Sequence, residues 1–168
     1  KIVTLFALIF VNAFFSMSEM AIVTLNDNKI DKMASEGNKK AKQIQKLTEN
    51  TSSFLSTIQI GVTLAGFLTS ASAATSFAEM LTGAVTSKFG LPESIVSPVA
   101  VVLITLIMSY FSLVLGELVP KRIGMQIPEK VAFAVAKPLY VIAKLTSPFV
   151  KFLSLSTNGV VRLLGFDP

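Results

Sequence analysis

Oxygen-bearing side chains interrupt an apolar stretch near the start of the chain, at Ser16, Ser18 and Glu19. Hydroxyl and carboxylate oxygens are the ligands that hard cations prefer. The 168-residue sequence has no Cys and no His, which excludes thiolate and imidazole metal sites, disulfides and Cys or His nucleophiles. Any metal must therefore be held by oxygen. The alternative is that the serines bond to helix carbonyls and that Glu19 reaches lipid headgroups.

A carboxylate and a proline lie close together further along the chain, at Glu117 and Pro120. Because Pro120 has no N–H, we expect it to interrupt the helix and to leave the Gly116 carbonyl without its donor. A free carbonyl beside a carboxylate is a cation-binding arrangement known from the broken helices of transporters. The alternative is an ion pair between Glu117 and Lys121, four residues apart on a helix.

Two further pairs of polar residues are spaced by one helical turn, Gln59 with Thr63 and Ser109 with Ser112. Each pair would present oxygen atoms on one helix face. The first pair lies beside a ladder of small residues, which favours close helix packing and is a candidate dimer face. The ladder consists of Gly61, Ala65, Thr69 and Ala73.

The elements that position these residues follow from the long apolar stretches. Charged residues make up only 15% of the sequence, against about 25% in soluble domains. Three stretches, about 2–25, 53–78 and 94–118, reach the roughly 20 residues that a membrane span needs. We therefore predict an all-α membrane protein with three transmembrane helices. Turn residues at Gly83, Gly90 and Pro92 predict an outer loop over about 78–93.

The basic residues predict the orientation. Of the 15 Lys and Arg residues, only Lys1 and Lys88 fall outside the segments 26–52 and 119–168. By the positive-inside rule, the N-terminus is outside the cell membrane, and both the first loop and the C-terminus are cytoplasmic. The first loop, about 27–50, reads as two juxtamembrane helices with a turn at Gly37 and Asn38.

The segment of about 128–164 carries one lysine every seven residues within apolar sequence. These lysines are Lys130, Lys137, Lys144 and Lys151. Seven residues are nearly two helical turns, so the lysines form a stripe that suits a helix lying in the membrane interface. Pro138 and Pro148 would bend or split this helix. The alternative is a fourth span, which the lysines make costly.

Three motifs, in this order, resemble the transmembrane domain of the CNNM/CorC (cyclin-M-like) magnesium transporter family. They are SMSEMA at residues 16–21, STIQIG at 56–61 and GELVPK at 116–121. The resemblance covers essentially residues 1–168. It implies a homodimer that binds Mg²⁺ within the membrane and exports it with Na⁺ as the coupling ion. It also implies that the protein continues past Pro168 into cytosolic CBS domains, where ATP would bind.

Carried over by position, the resemblance implies an ion site drawn from all three spans. The implied ligands are Ser16, Ser18, Gly61, Thr63, Ser109, Ser112 and Glu117. The chain departs from the family pattern after Gly61, where many relatives have two asparagines and this sequence has Val62 and Thr63.

The sequence thus predicts a transporter of Mg²⁺ or another divalent cation, with Glu117 as the main anionic ligand. We expect membrane lipids as partners and neither nucleic-acid binding nor enzymatic activity. The rival hypothesis is a membrane anchor and regulatory scaffold, in which the polar residues only lock helix packing. A pore-forming role is disfavoured because the spans contain no ring of charges.

Overall fold

The computed structural model describes residues 2–168, and this range is helical with no β-strand. The helices are α1 (Ile2–Thr24), α2 (Asp27–Ser35), α3 (Lys39–Glu49), α4 (Thr51–Phe89), α5 (Glu93–Leu113), α6 (Val119–Gln126) and α7 (Pro128–Leu163). A π-helical segment, Val114–Leu118, joins α5 directly to α6. The all-α prediction is confirmed.

Asparagine side chains start the helices of the first loop. The Oδ1 atom of Asn26 accepts from Lys29 N at 3.3 Å, and that of Asn38 accepts from Ala41 N at 3.0 Å. Asn50 caps α4 in the same way. Between α2 and α3 the chain turns at Gly37, whose φ of +95° suits a residue without a Cβ. The predicted pair of helices and the turn between them are confirmed.

Helix α4 is longer than predicted, so the expected outer loop over 78–93 is wrong. The helix continues to Phe89 and ends at Gly90, which has a φ of +64° and donates its N–H to Thr86 O. Only residues 90–92 then separate α4 from α5. The extension is stabilised by packing, because Ala78 and Thr82 are buried and α4 runs beside α5.

The small-residue ladder of α4 packs inside the chain. Ala65, Thr69 and Ala73 are at most 3% exposed, and the hydroxyl of Thr69 donates to Ala65 O at 2.7 Å. This face is therefore occupied by the chain's own helices. It is not free for a second copy, so the ladder is the wrong candidate for a dimer face.

Four helices, not three, are long and apolar enough to cross a membrane. They are Ile2–Thr24, Thr51–Phe89, the continuous run Glu93–Gln126, and Pro128–Leu163. The prediction of three spans was therefore wrong, because α7 also qualifies by length and composition.

The expectation that the two prolines split α7 into shorter helices is wrong. Pro138 and Pro148 lie inside one continuous helix. Each proline removes one backbone hydrogen bond. Continuity is supported by packing, since Val131, Val135 and Leu139 are buried on one side of the helix.

The largest apolar core lies where the end of α1 meets α2, α3, the start of α4 and the first half of α7. Ile22, Ile30, Ile44, Ile58 and Leu139, one from each of these five elements, are at most 4% exposed. This core holds the first loop against α7. Both lysine-rich regions therefore lie in one part of the molecule.

Candidate functional site

Two polar side chains are buried on one face of α1 without a hydrogen-bond partner. Asn12 is 4% exposed and Ser16 is fully buried. Asn12 Oδ1 and Ser16 Oγ are the buried side-chain atoms left unpartnered within residues 2–168. Because a buried polar atom without a partner costs about 1–3 kcal/mol, such atoms in a folded protein need an explanation. Spaced by four residues, the two side chains point to the same side of the helix.

Helix α1 approaches the π-helical segment and α6 very closely. A Cβ built on Gly116 would lie 2.8 Å from Asn12 Nδ2. A Cβ on Gly124, further along, would lie 2.5 Å from the carbonyl oxygen of Met17. The residue numbers increase together in the two contacts, from Asn12 to Met17 in α1 and from Gly116 to Gly124 in the facing segment. Helix α1 therefore runs parallel to that segment. The two glycines allow the close approach.

The π-helical segment differs from the predicted interruption at Pro120. The chain does not break, because Val119 donates its N–H to Val114 O, five residues back, and α6 begins at Val119. Pro120 therefore occupies the first turn of α6, where proline is tolerated. Leu115 O loses both of its helical donors, since Val119 is engaged elsewhere and Pro120 has none. Pro120 also has no N–H to donate to Gly116 O.

The carboxylate of Glu117 is paired within the chain. Lys121 Nζ donates to Glu117 Oε1 at 3.0 Å, and each of the two side chains is 31% exposed. The structure therefore shows the alternative, an ion pair between Glu117 and Lys121 one helical turn apart. Because Glu117 directly follows Gly116, its carboxylate belongs to the same short segment that contacts Asn12.

The remaining predicted serines have different surroundings. Ser18 is fully buried, and its hydroxyl donates to Phe14 O at 2.6 Å, as in the alternative of local bonding. Ser109 is exposed on α5, and Ser112 is half-buried. Of these three residues, only Ser18 is buried in the bundle with Ser16.

The predicted residues of α4 are engaged in other contacts. A Cβ on Gly61 would lie 2.5 Å from the ring of Phe15, so this glycine makes room for an aromatic side chain. The hydroxyl of Thr63 accepts from Gln59 Nε2 at 2.9 Å, within α4. The structure therefore assigns Gly61 a packing contact and Thr63 a local one.

Asn12 was not among the predicted ligands. Its signal in the sequence was an amide inside an apolar span, four residues before Ser16. Intramembrane polar residues generally face the bundle interior or a cavity. The spacing alone could therefore have placed Asn12 on the face that carries Ser16.

The donor set available here is largely neutral. Across residues 2–168, no group of three or more Asp, Glu, His or Cys side chains could hold a metal ion. The oxygen atoms nearest this contact are instead the Asn12 amide, the Ser16 hydroxyl and backbone carbonyls of the π-helical segment, which also carries Glu117. Such a set suits Mg²⁺ that keeps several of its waters, because this ion dehydrates reluctantly.

The similarity to known sequences extends over nearly the whole chain. The profile of the family described as "Cyclin M transmembrane N-terminal domain" matches residues 2–168. The chain is 40% identical over 165 residues to UPF0053 protein sll0260 of Synechocystis, an alignment that covers 96% of this chain and 36% of that protein.

Two other relatives show the same coverage. UPF0053 protein YugS of Bacillus subtilis is 32% identical over 166 residues, which are 99% of this chain and 38% of that protein. The UPF0053 inner membrane protein YfjD of Escherichia coli is 29% identical over 155 residues, which are 92% and 33% of the two chains. The chain thus spans about a third of the length of these curated relatives.

Proposed function

The chain belongs to the cyclin M transmembrane N-terminal domain family, and on that premise we propose that this multi-pass membrane domain transports Mg²⁺. The ion would pass through the oxygen-bearing contact between α1 and the π-helical segment. This proposal gives the Mg²⁺ transport implied by the three motifs a specific place in the fold.

The observation that carries the proposal is the pair of buried, unpartnered atoms, Asn12 Oδ1 and Ser16 Oγ. Packing alone does not account for them, since an apolar side chain at either position would avoid the desolvation cost. A cation bound beside this face of α1 would give both oxygens a partner. Because the contact with Gly116 leaves no room for a hydrated ion, binding would require α1 and the π-helical segment to move apart. The Leu115 carbonyl, which has lost its helical donors, lies in the same segment.

The single carboxylate suits transport as well as capture. Glu117 is already neutralised by Lys121, so a cation must displace the ammonium group to use both carboxylate oxygens. This competition lowers the affinity, and a moderately weak site releases its ion readily. Lys121 would thus act as an internal substitute for the cation when the site is empty.

Export requires an energy source. Moving a divalent cation outward against 100 mV, inside negative, costs about 4.6 kcal/mol, twice the cost for one charge. We propose that inward movement of Na⁺ drives export. We further propose a homodimer in the cell membrane, with the N-terminus outside and the C-terminus cytoplasmic. This orientation requires an odd number of crossings, so α1, α4 and the continuous run of α5 and α6 would cross the membrane, and α7 would lie in the cytoplasmic interface.

A second candidate function is a membrane anchor that regulates cation levels indirectly. It is favoured by the Glu117–Lys121 ion pair and by the bond from Ser18 to Phe14 O, which satisfy these groups without a metal. In that case Asn12 and Ser16 would contribute only to helix association.

A flux assay separates the two. The protein is reconstituted into vesicles loaded with Mg²⁺, a Na⁺ gradient is imposed, and Mg²⁺ release is followed with an indicator dye. Ser16→Ala and Glu117→Gln should reduce flux at least about tenfold, as expected when an ion loses about 1.4 kcal/mol of coordination. The matched controls Ser87→Ala and Glu93→Gln change exposed residues and should transport normally. Wild-type flux in both site variants would favour the anchor.

A further inference from the structure

A cavity of about 390 Å³ lies between the α3–α4 junction and the middle of α7, away from the contact between α1 and the π-helical segment. Three lysines line it: Lys46 of α3, and Lys144 and Lys151 of α7. No Asp or Glu residue lines it. Cations from two separate helices therefore converge on one recess, and their mutual repulsion favours occupation by an anion.

These lysines have no carboxylate partner in the described part of the chain. The ion pairs found across residues 2–168 are Lys29 with Glu129 and Lys121 with Glu117. Lys46 Nζ lies 5.9 Å from the centre of the Tyr140 ring, which also borders the cavity. The charges are thus available to a bound anion.

Hydroxyl and amide groups complete the lining. Ser53 of α4 and Ser147 of α7 line the cavity, together with Asn50 and Thr57. Serine hydroxyls can donate to anionic oxygens, and ammonium groups make strong, charge-assisted hydrogen bonds to phosphate. The lining therefore has the chemistry of a phosphate site.

The surface beside the cavity indicates where the phosphate comes from. Leu145, Phe149 and Phe152 share these turns of α7 with the lysines and are 76%, 52% and 63% exposed. The rings of Phe149 and Phe152 are stacked, with centroids 6.5 Å apart. A cationic recess next to an exposed apolar strip matches a phospholipid, whose headgroup is charged and whose chains are apolar.

We propose that this cavity is a binding site for the phosphate headgroup of an anionic phospholipid. The phosphate bridges Lys46 to Lys144 and Lys151, and the acyl chains lie along the apolar strip of α7. Bound lipid would thereby link α3 and the start of α4 to α7. This proposal is independent of the transport proposal, because none of the cavity residues belongs to the contact around Asn12 and Glu117.

The lysine stripe of α7 supplies a matched control for the test. Lys144→Gln/Lys151→Gln removes two charges from the cavity, and Lys130→Gln/Lys137→Gln removes two charges with the same spacing outside it. All four lysines are exposed enough for substitution without opening the core. Circular dichroism checks that both double variants keep the wild-type helix content.

Binding is measured by native mass spectrometry and thermal stabilisation, with phosphatidylglycerol titrated into protein held in a phosphatidylcholine background. The cavity variant should bind phosphatidylglycerol at least about tenfold more weakly, whereas the stripe variant should lose about threefold or less. Equal losses in the two variants would show general surface attraction and overturn the site. Equal protection by inorganic phosphate at the same concentration would overturn the lipid assignment.

Discussion

Asn12 of α1 packs against Gly116 of the π-helical segment so closely that a Cβ at position 116 would displace the Asn12 side chain. A Cβ there would lie 2.8 Å from Asn12 Nδ2 and 3.4 Å from Asn12 Cγ. The contact brings a buried amide with an unpartnered oxygen next to the residue that precedes Glu117. Residues from opposite parts of the sequence are thus held at the place where we propose that Mg²⁺ binds.

The two glycines opposite α1 should differ in their tolerance of alanine. Gly124→Ala should destabilise the protein by about 1–3 kcal/mol, because its Cβ meets the Met17 backbone, which cannot move aside. Gly116→Ala meets the end of a side chain, so it should cost less stability but should displace Asn12 and reduce Mg²⁺ flux. Thermal unfolding in detergent and vesicle flux measure the two effects.

Gly83→Ala is the control for this comparison, since its added Cβ meets nothing within 4 Å. Alanine is favoured over glycine inside a helix by about 0.5–1 kcal/mol, so this variant should be as stable as the wild type or more so. If Gly124→Ala unfolds at the same temperature as Gly83→Ala, the close packing of α6 on α1 is contradicted.

Removing the ammonium group that pairs with Glu117 should strengthen cation binding. Lys121→Gln frees Glu117 Oε1, so the Mg²⁺ concentration for half-maximal flux should fall severalfold. Its stability should change by less than about 1 kcal/mol, as for other partly exposed ion pairs. Arg122→Gln removes the same charge from an exposed neighbour. If the two variants shift the Mg²⁺ dependence of flux equally, Lys121 acts only through the overall electrostatic field of the protein and not through its pairing with Glu117.

The predicted orientation can be tested without background labelling, because the sequence contains no Cys. Ser35→Cys in the first loop and Ser87→Cys at the end of α4 both replace exposed serines that bond only to nearby backbone carbonyls. In intact cells, an impermeant maleimide should label position 87 and should leave position 35 unlabelled until the cells are opened. Labelling of position 35 alone in intact cells would reverse the orientation.

The first half of α7 should be anchored by its buried face. Leu139 is fully buried in the core shared with α1–α4, so Leu139→Ala should cost about 2–5 kcal/mol. Leu145→Ala, at a position 76% exposed, is the control. In a circular dichroism melt, Leu139→Ala should lose its helicity at a lower temperature than the wild type, and Leu145→Ala should not. Equal melting of the two would place α7 outside the core.

Much of the local structure followed from the sequence because its causes are local. Gly37 and Asn38 mark the turn between the two short helices, so α2 and α3 could be predicted, and the structure adds Asn26 and Asn38 as their N-caps. The oxygen-only chemistry followed from the absence of Cys and His. The three motifs, one in each predicted span, also indicated the family from the sequence alone.

Several boundaries could not be predicted, since packing overrides local signals. Gly83 reads as a turn residue, yet α4 continues past it because neighbouring turns are buried against α5. Pro120 reads as a helix break, yet a π-helical turn carries the chain into α6. Pro138 lies next to Leu139, whose burial holds α7 together.

The sequence by itself determined which residues are apolar, which side chains carry oxygen and where the lysines recur. Only the tertiary structure decided that Asn12 meets Gly116, that Ser16 lacks a partner while Ser18 has one, and that Lys46 joins Lys144 at one cavity. The physical reason is that helix periodicity fixes which residues share a face of one helix. Which faces meet depends on burial and on close approach between segments that are far apart in the chain.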